Sequence, residues 1–251
     1  MHQLPDYPNY PVVPRRRQRV FDAGPFTKGD LWTVIAYLVF FVGGAAALIG
    51  LIPGYMSAFS TQEQALFGIN LILYVTFFIL AMIQCGAQFF ESFKTMRYYP
   101  WAKWLMLPGG WFLTIMVNGI IAALTGQAVT SENQAALESM AGTVPLPVML
   151  VVTALFGPFV EEYLFRHLLI GKLSRKVNVW LCALISTVLF ASIHFIGAGI
   201  GSWLEVVPYF MLGVMMAVAY ILSGKSLAYS YMLHVINNTV ALLVVYLIYP
   251  L

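Results

Sequence analysis

Charge is what this sequence has least of. Only 9% of its 251 residues are Asp, Glu, Lys or Arg, while 61% are hydrophobic. Soluble domains carry about 25% charged residues, so the shortage excludes a soluble globular protein. Cysteine is also scarce. Cys85 and Cys182 both fall in apolar segments and give neither a disulfide framework nor a zinc-ligand spacing. No HExxH zinc motif, no GxGD aspartyl signature and no serine in a GxSG context occurs. No repeat of fixed period is visible and no long soluble insertion interrupts the chain.

Long apolar runs are what remain, and they define an all-α, polytopic transmembrane bundle. Seven segments are long enough, or nearly so, to cross a hydrocarbon core of ~30 Å: 31–53, 65–89, 104–125, 146–170, 179–200, 206–222 and 227–249. The length fits one compact bundle. Pro53-Gly54 closes the first span, and Ser223-Gly224-Lys225 separates the last two. Residues 1–30 form the long polar piece, rich in proline and tyrosine and carrying Arg15, Arg16, Arg17 and Arg19. They read as a flexible cytoplasmic arm before a membrane-embedded domain over 31–251. The basic cluster is foremost a topology signal; contact with anionic lipid is the alternative.

Basic residues in short loops mark the cytoplasmic side. The arm holds Arg15, Arg16, Arg17, Arg19 and Lys28, and the loop after the second span holds Lys94, Arg97 and Lys103. The end of the fourth span and the loop after it hold Arg166, Lys172, Arg175 and Lys176, and Lys225 precedes the seventh span. These are all 13 Lys and Arg of the chain. They fall on one side if seven spans alternate, which predicts the N-terminus inside and the C-terminus outside. The other side carries Glu63, Glu132, Glu138 and Glu205. The first apolar run is too long for the h-region of a cleavable signal peptide.

Against this background a few polar residues stand out at membrane depth. Glu161 and Glu162 are adjacent within an apolar stretch, where one carboxylate costs ~2.5–3.5 kcal/mol on insertion scales. Glu162 and Arg166 are four apart and share a helix face, so they form a natural pair. Glu161 is rotated ~100° from Glu162 and is left without that cation, which suits it to take a proton from water. The plainer alternative is two interior carboxylates bonded to neighbouring helices. The fifth span carries Phe190 and His194, and the seventh carries His234, Asn237 and Asn238. His194 alone reads equally well as an interhelical donor, and the His234–Asn238 pair alone is more often interhelical hydrogen bonding. Together they place Glu, His, His and Asn on three helices.

The three groups match, in order, the motifs EExxxR (Glu161, Glu162, Arg166), FxxxH (Phe190, His194) and HxxxN (His234, Asn238). The sequence thereby resembles the CAAX-protease and bacteriocin-processing-enzyme (Abi) family of intramembrane peptidases, over about residues 145–245. The resemblance implies that Glu161 is the general base that activates water and that His194 helps hold and polarise it. It implies that His234 and Asn238 stabilise the oxyanion, with Glu162, Arg166 and Phe190 in support. It implies peptidase activity on a membrane-associated peptide or protein, with the bilayer as the other partner and no nucleic acid.

No cofactor is expected. Glu161, His194 and His234 also make a two-histidine, one-carboxylate set of the kind that binds zinc, which is the metal-dependent alternative. A non-catalytic scaffold or bacteriocin-immunity protein of the same fold is the non-enzymatic one. A proton-coupled transporter is a third class, but no pair of matched broken helices marks a midplane site. A bacterial plasma membrane is the expected location. Residue counting puts Glu161 ~22 Å in from the outer end of its span and His234 ~10 Å from the inner end of its own. His194 falls further out than these two if its span starts at 179. Gly157-Pro158 is a place for the fourth span to bend.

Overall fold

The computed structural model describes residues 20–125, 132–196 and 203–248. Among them the chain is helical throughout, without strands. The elements are α1 (Lys28–Tyr37), α2 (Gln62–Ser92), α3 (Pro100–Thr125), α4 (Glu132–Ala141), α5 (Leu146–Met149), α6 (Gly157–Glu161), α7 (Val179–Ile193), α8 (Trp203–Leu222) and α9 (Leu227–Ile248). The fold is the expected all-α polytopic bundle.

Five helices are long and apolar enough to cross a membrane. They are Gln62–Arg97, Pro100–Ile121, Leu146–Arg175, Leu204–Leu222 and Leu227–Leu247. The other two apolar segments differ from simple spans. The first breaks by 61° between Lys28–Val42 and Ala45–Leu51. Gly44 sits at that break with φ of 72°, a left-handed backbone that glycine adopts at little cost. The fifth is α7, of only 15 residues, which at 1.5 Å per residue is ~22 Å long. It ends at Ile193 instead of running on; residues 197–200 lie outside the described ones.

Leu146–Arg175 is the axis of the bundle, with 67% of its apolar window buried against 33% or less for the other four. Its neighbours pack aromatic edges against it. Phe159 meets Phe78, Phe89 and Tyr231 at ring-centroid distances of 5.1, 5.1 and 5.5 Å. Between helices in lipid such packing, rather than expulsion of water, supplies the association energy. This axis is not a regular α-helix. Leu150–Phe156 and Glu162–Lys172 are π-helical, and the α turn Gly157–Glu161 joins them. Pro158 lacks an N–H and crowds the carbonyl four residues back. The wider turn ahead of it relieves that conflict, so the proline is absorbed within a continuous helix.

The basic stretches are brought together at one end. Arg175 Nη1 donates to both carboxylate oxygens of Asp22, at 2.5 and 2.7 Å. Lys225 donates to Ser174 at 2.7 Å, and Phe21 N–H donates to the Gly224 carbonyl at 2.8 Å. The Ser226 hydroxyl donates to the Ser92 carbonyl at 2.9 Å, and Tyr229 donates to the Lys103 carbonyl at 2.6 Å. Residues 1–19 of the expected arm lie outside the described residues. Its remainder is tied down, with Ala23 and Asp30 buried.

Asp30 is fully buried and saturated with donors. Its carboxylate accepts from Lys172 at 2.5 Å, from the Tyr163 hydroxyl at 2.7 Å and from Thr27 N–H at 2.7 Å. With Thr27 it forms a capping box at the start of α1. Lys172 reads in the sequence as a loop cation, but it is 4% exposed. It fastens the end of the axial helix to the start of α1.

Candidate active site

Glu161, His194, His234 and Asn238 all line one cavity of about 430 Å³. Tyr37, Asn70, Tyr74, Thr153, Tyr209 and Asn237 share its wall. The carboxylate comes from the α turn between the two π segments. Widened turns of this kind occur mostly at functional sites.

His234 stands between the two glutamates. Its Nδ1 lies 3.0 Å from Glu162 Oε1, and its Nε2 lies 3.6 Å from Glu161 Oε2. A carboxylate only accepts, so in the neutral ring Nδ1 carries the proton and Nε2 bears a lone pair. The ring is thus oriented by one glutamate while its other nitrogen faces the second. Glu162 and His234 are 0% and 1% exposed, and Glu161 is 8% exposed where it meets the cavity.

Arg166 pairs with Glu162 as the four-residue spacing predicts, Nε to Oε1 at 3.5 Å. It is shared more widely than that spacing reveals. It donates to the Gly213 carbonyl of α8 at 3.3 Å, and its guanidinium carbon lies 4.5 Å from the centre of the Phe190 ring. That ring contacts His194 and His234 at centroid distances of 5.0 and 5.8 Å. Phe190 is therefore the apolar post around which the arginine and both histidines are arranged.

His194 caps the C-terminus of α7. Its Nδ1 lies 2.8 Å from the Phe190 carbonyl, which only accepts, so Nδ1 is the protonated nitrogen of the neutral ring. Tyr209 of α8 stacks on the imidazole at 4.2 Å with an interplanar angle of 27°. The helix does start at Val179, so His194 lies ~22 Å along it, as the residue count gave. The helix stops at the histidine, short of the ~30 Å crossing length.

Asn238 lies at the cavity wall, but its side-chain amide donates to the Thr153 carbonyl at 2.9 Å. Asn237, expected to be offset, also reaches the cavity and donates to Asn238 Oδ1 at 3.2 Å. Tyr37, Tyr74 and Tyr209 were not singled out from the sequence, because tyrosines in apolar spans give no distinguishing pattern. Among the described residues no group of three or more His, Cys, Asp or Glu is placed to hold a metal ion.

Residues 143–240 match the family model described as type II CAAX prenyl endopeptidase Rce1-like. The match takes in all three motifs, so the resemblance they carry is shown over those residues. Among curated proteins, the chain is similar to the putative membrane peptidase YdiL of Bacillus subtilis (strain 168). The two are 34% identical over 89 residues, 34% of this chain and 36% of that protein. It is also similar to the membrane-embedded CAAX protease MroQ of Staphylococcus aureus (strain USA300). That pair is 26% identical over 130 residues, 49% of each. The chain thus spans about half the length of these relatives or less. No solved structure matches it.

Proposed function

We propose that the protein is an intramembrane endopeptidase that cleaves a membrane-associated peptide or protein with water activated by Glu161. The observation that carries this reading is the convergence of Glu161, His194 and His234 from three helices on one cavity. The family match and the relatives' names support the activity class. In the reaction, Glu161 takes a proton from water as the water oxygen bonds to the peptide carbonyl carbon. His194 Nε2 accepts a hydrogen bond from the same water. The carbonyl electron pair moves to its oxygen, where Asn238 donates through its second N–H. His234 does so only as an imidazolium. Collapse of this tetrahedral species breaks the C–N bond, and the proton held by Glu161 passes to the departing amine. Each step uses groups of this chain alone, and no metal is invoked. A prenylated substrate is the class the family's name points to, and the two relatives' sources favour a bacterial plasma membrane.

The test is quantitative peptidomics of membranes from cells carrying the wild type or Glu161→Gln. The glutamine keeps the shape and cannot accept the proton. A peptide released only by the wild type is expected, and its termini name the bond cut. Identical peptide profiles would favour the non-catalytic scaffold or immunity protein.

A further inference from the structure

Several of the donors around the oxyanion of this reaction already serve a protein partner. In the neutral rings, Nδ1 of His234 serves Glu162 and Nδ1 of His194 serves the Phe190 carbonyl. One N–H of Asn238 serves the Thr153 carbonyl. Preorganised donors aimed at the developing charge are usually the largest catalytic contribution. The amides that remain at the cavity wall are the second N–H groups of Asn238 and Asn237 and the side chain of Asn70.

Tyr74 of α2 adds a hydroxyl to that wall. A methyl placed on Gly157 would sit 3.4 Å from Tyr74 Cε1 and 3.6 Å from Cζ. The tyrosine ring therefore lies beside the glycine face of the axial helix. Gly157 and Glu161 are four residues apart within one α turn, so they share that face. Tyr74 and Glu161 line the same cavity. Phe41 packs the ring at a centroid distance of 5.0 Å and fixes its plane. No hydrogen bond joins the Tyr74 hydroxyl to any described residue, although it lies within electrostatic reach of Glu161. A phenol is both donor and acceptor. One held in a buried site without a protein partner is free to donate to a ligand.

We infer that Tyr74 is a further catalytic residue, whose hydroxyl donates to the oxyanion of a peptide bond attacked in this cavity. The inference rests on the peptidase reading.

Tyr74→Phe removes the hydroxyl and keeps the ring. The probe is a quenched-fluorescence peptide spanning the bond identified by peptidomics, assayed with wild-type, Tyr74→Phe and Glu161→Gln proteins in liposomes. Losing one such donor lowers kcat by roughly 100-fold or more. The expected result is that loss with KM within about twofold and an unchanged melting temperature. A phosphinate analogue of the same bond, tetrahedral and anionic, should lose affinity for Tyr74→Phe by a similar factor, while the product peptide binds as before. A kcat within threefold of wild type overturns the inference. So does a loss of kcat with a lowered melting temperature and equally weakened binding of analogue and product, which marks a structural role. Wild-type turnover no greater than that of Glu161→Gln overturns the peptidase reading instead.

Discussion

Arg166 is the largest fully buried side chain beside the cavity, and replacing it with methionine tests how the site is held. The guanidinium and its partner Glu162 are both 0% exposed. Removing one member of a buried pair leaves the other charge uncompensated, at ~3–5 kcal/mol in soluble proteins. Arg166→Met also loses the bond to the Gly213 carbonyl and the contact with Phe190, which pushes the cost toward the upper end. For a chain of this size, each kcal/mol moves the melting temperature by roughly 2–4 °C. A fall of roughly 6–20 °C in mild detergent is expected. Glu162→Gln removes the charge but keeps an oxygen for His234 Nδ1. The double variant should therefore melt above the sum of the two single losses, with a coupling of at least ~1 kcal/mol. Intrinsic fluorescence unfolding of the four purified proteins measures this. Strict additivity would refute the coupling of this buried pair, and a shift under about 2 °C for Arg166→Met would refute its weight in holding the site.

Asp30→Asn and Lys172→Met should each destabilise the bundle by ~3–5 kcal/mol, and their combination by much less than the sum, read by the same unfolding assay. The outer pair behaves differently. The Arg175 guanidinium holds the Asp22 carboxyl below its usual value of 3.8. Its folded pKa is depressed, so its contribution is present above about pH 3.8 and lost as pH falls through the lower folded value. That contribution is small and salt-sensitive, since both side chains are largely exposed; Asp22→Asn should leave melting at pH 7 and 0.15 M salt nearly unchanged. Dialysis against phenanthroline should leave peptide release intact, and metal analysis should find no stoichiometric zinc. One tightly bound zinc required for activity would promote the metal-dependent mechanism.

Much of this was legible because charge is so rare in the sequence. With few polar residues in the spans, Glu161, Glu162, His194, His234 and Asn238 declared themselves by position, and Arg166 by its spacing from Glu162. Hydropathy also found every apolar element. It missed that the first segment breaks at Gly44 and that α7 stops at His194, because hydropathy counts apolar residues and is blind to where the backbone turns. An i,i+4 rule assigned Arg166 to Glu162 but had no access to Gly213 or the Phe190 ring, which arrive from other helices. Lys172 was read as a loop cation for the same reason: its partner lies 142 residues away. The Thr27–Asp30 capping box, which marks where α1 starts, falls in the stretch read as a flexible arm. Nothing local marked that its aspartate would bind two side chains of the axial helix.

The separation of Asp30 from Lys172 also orders events during synthesis. The carboxylate leaves the ribosome at the mouth of the first apolar helix, and its cation follows 142 residues later. At 5–20 residues per second the interval is on the order of ten seconds. Until then α1 carries an acid without its partner, so this end of the helix stays in contact with water or headgroups. A protein truncated before residue 172 lacks the lysine that pairs with this buried acid.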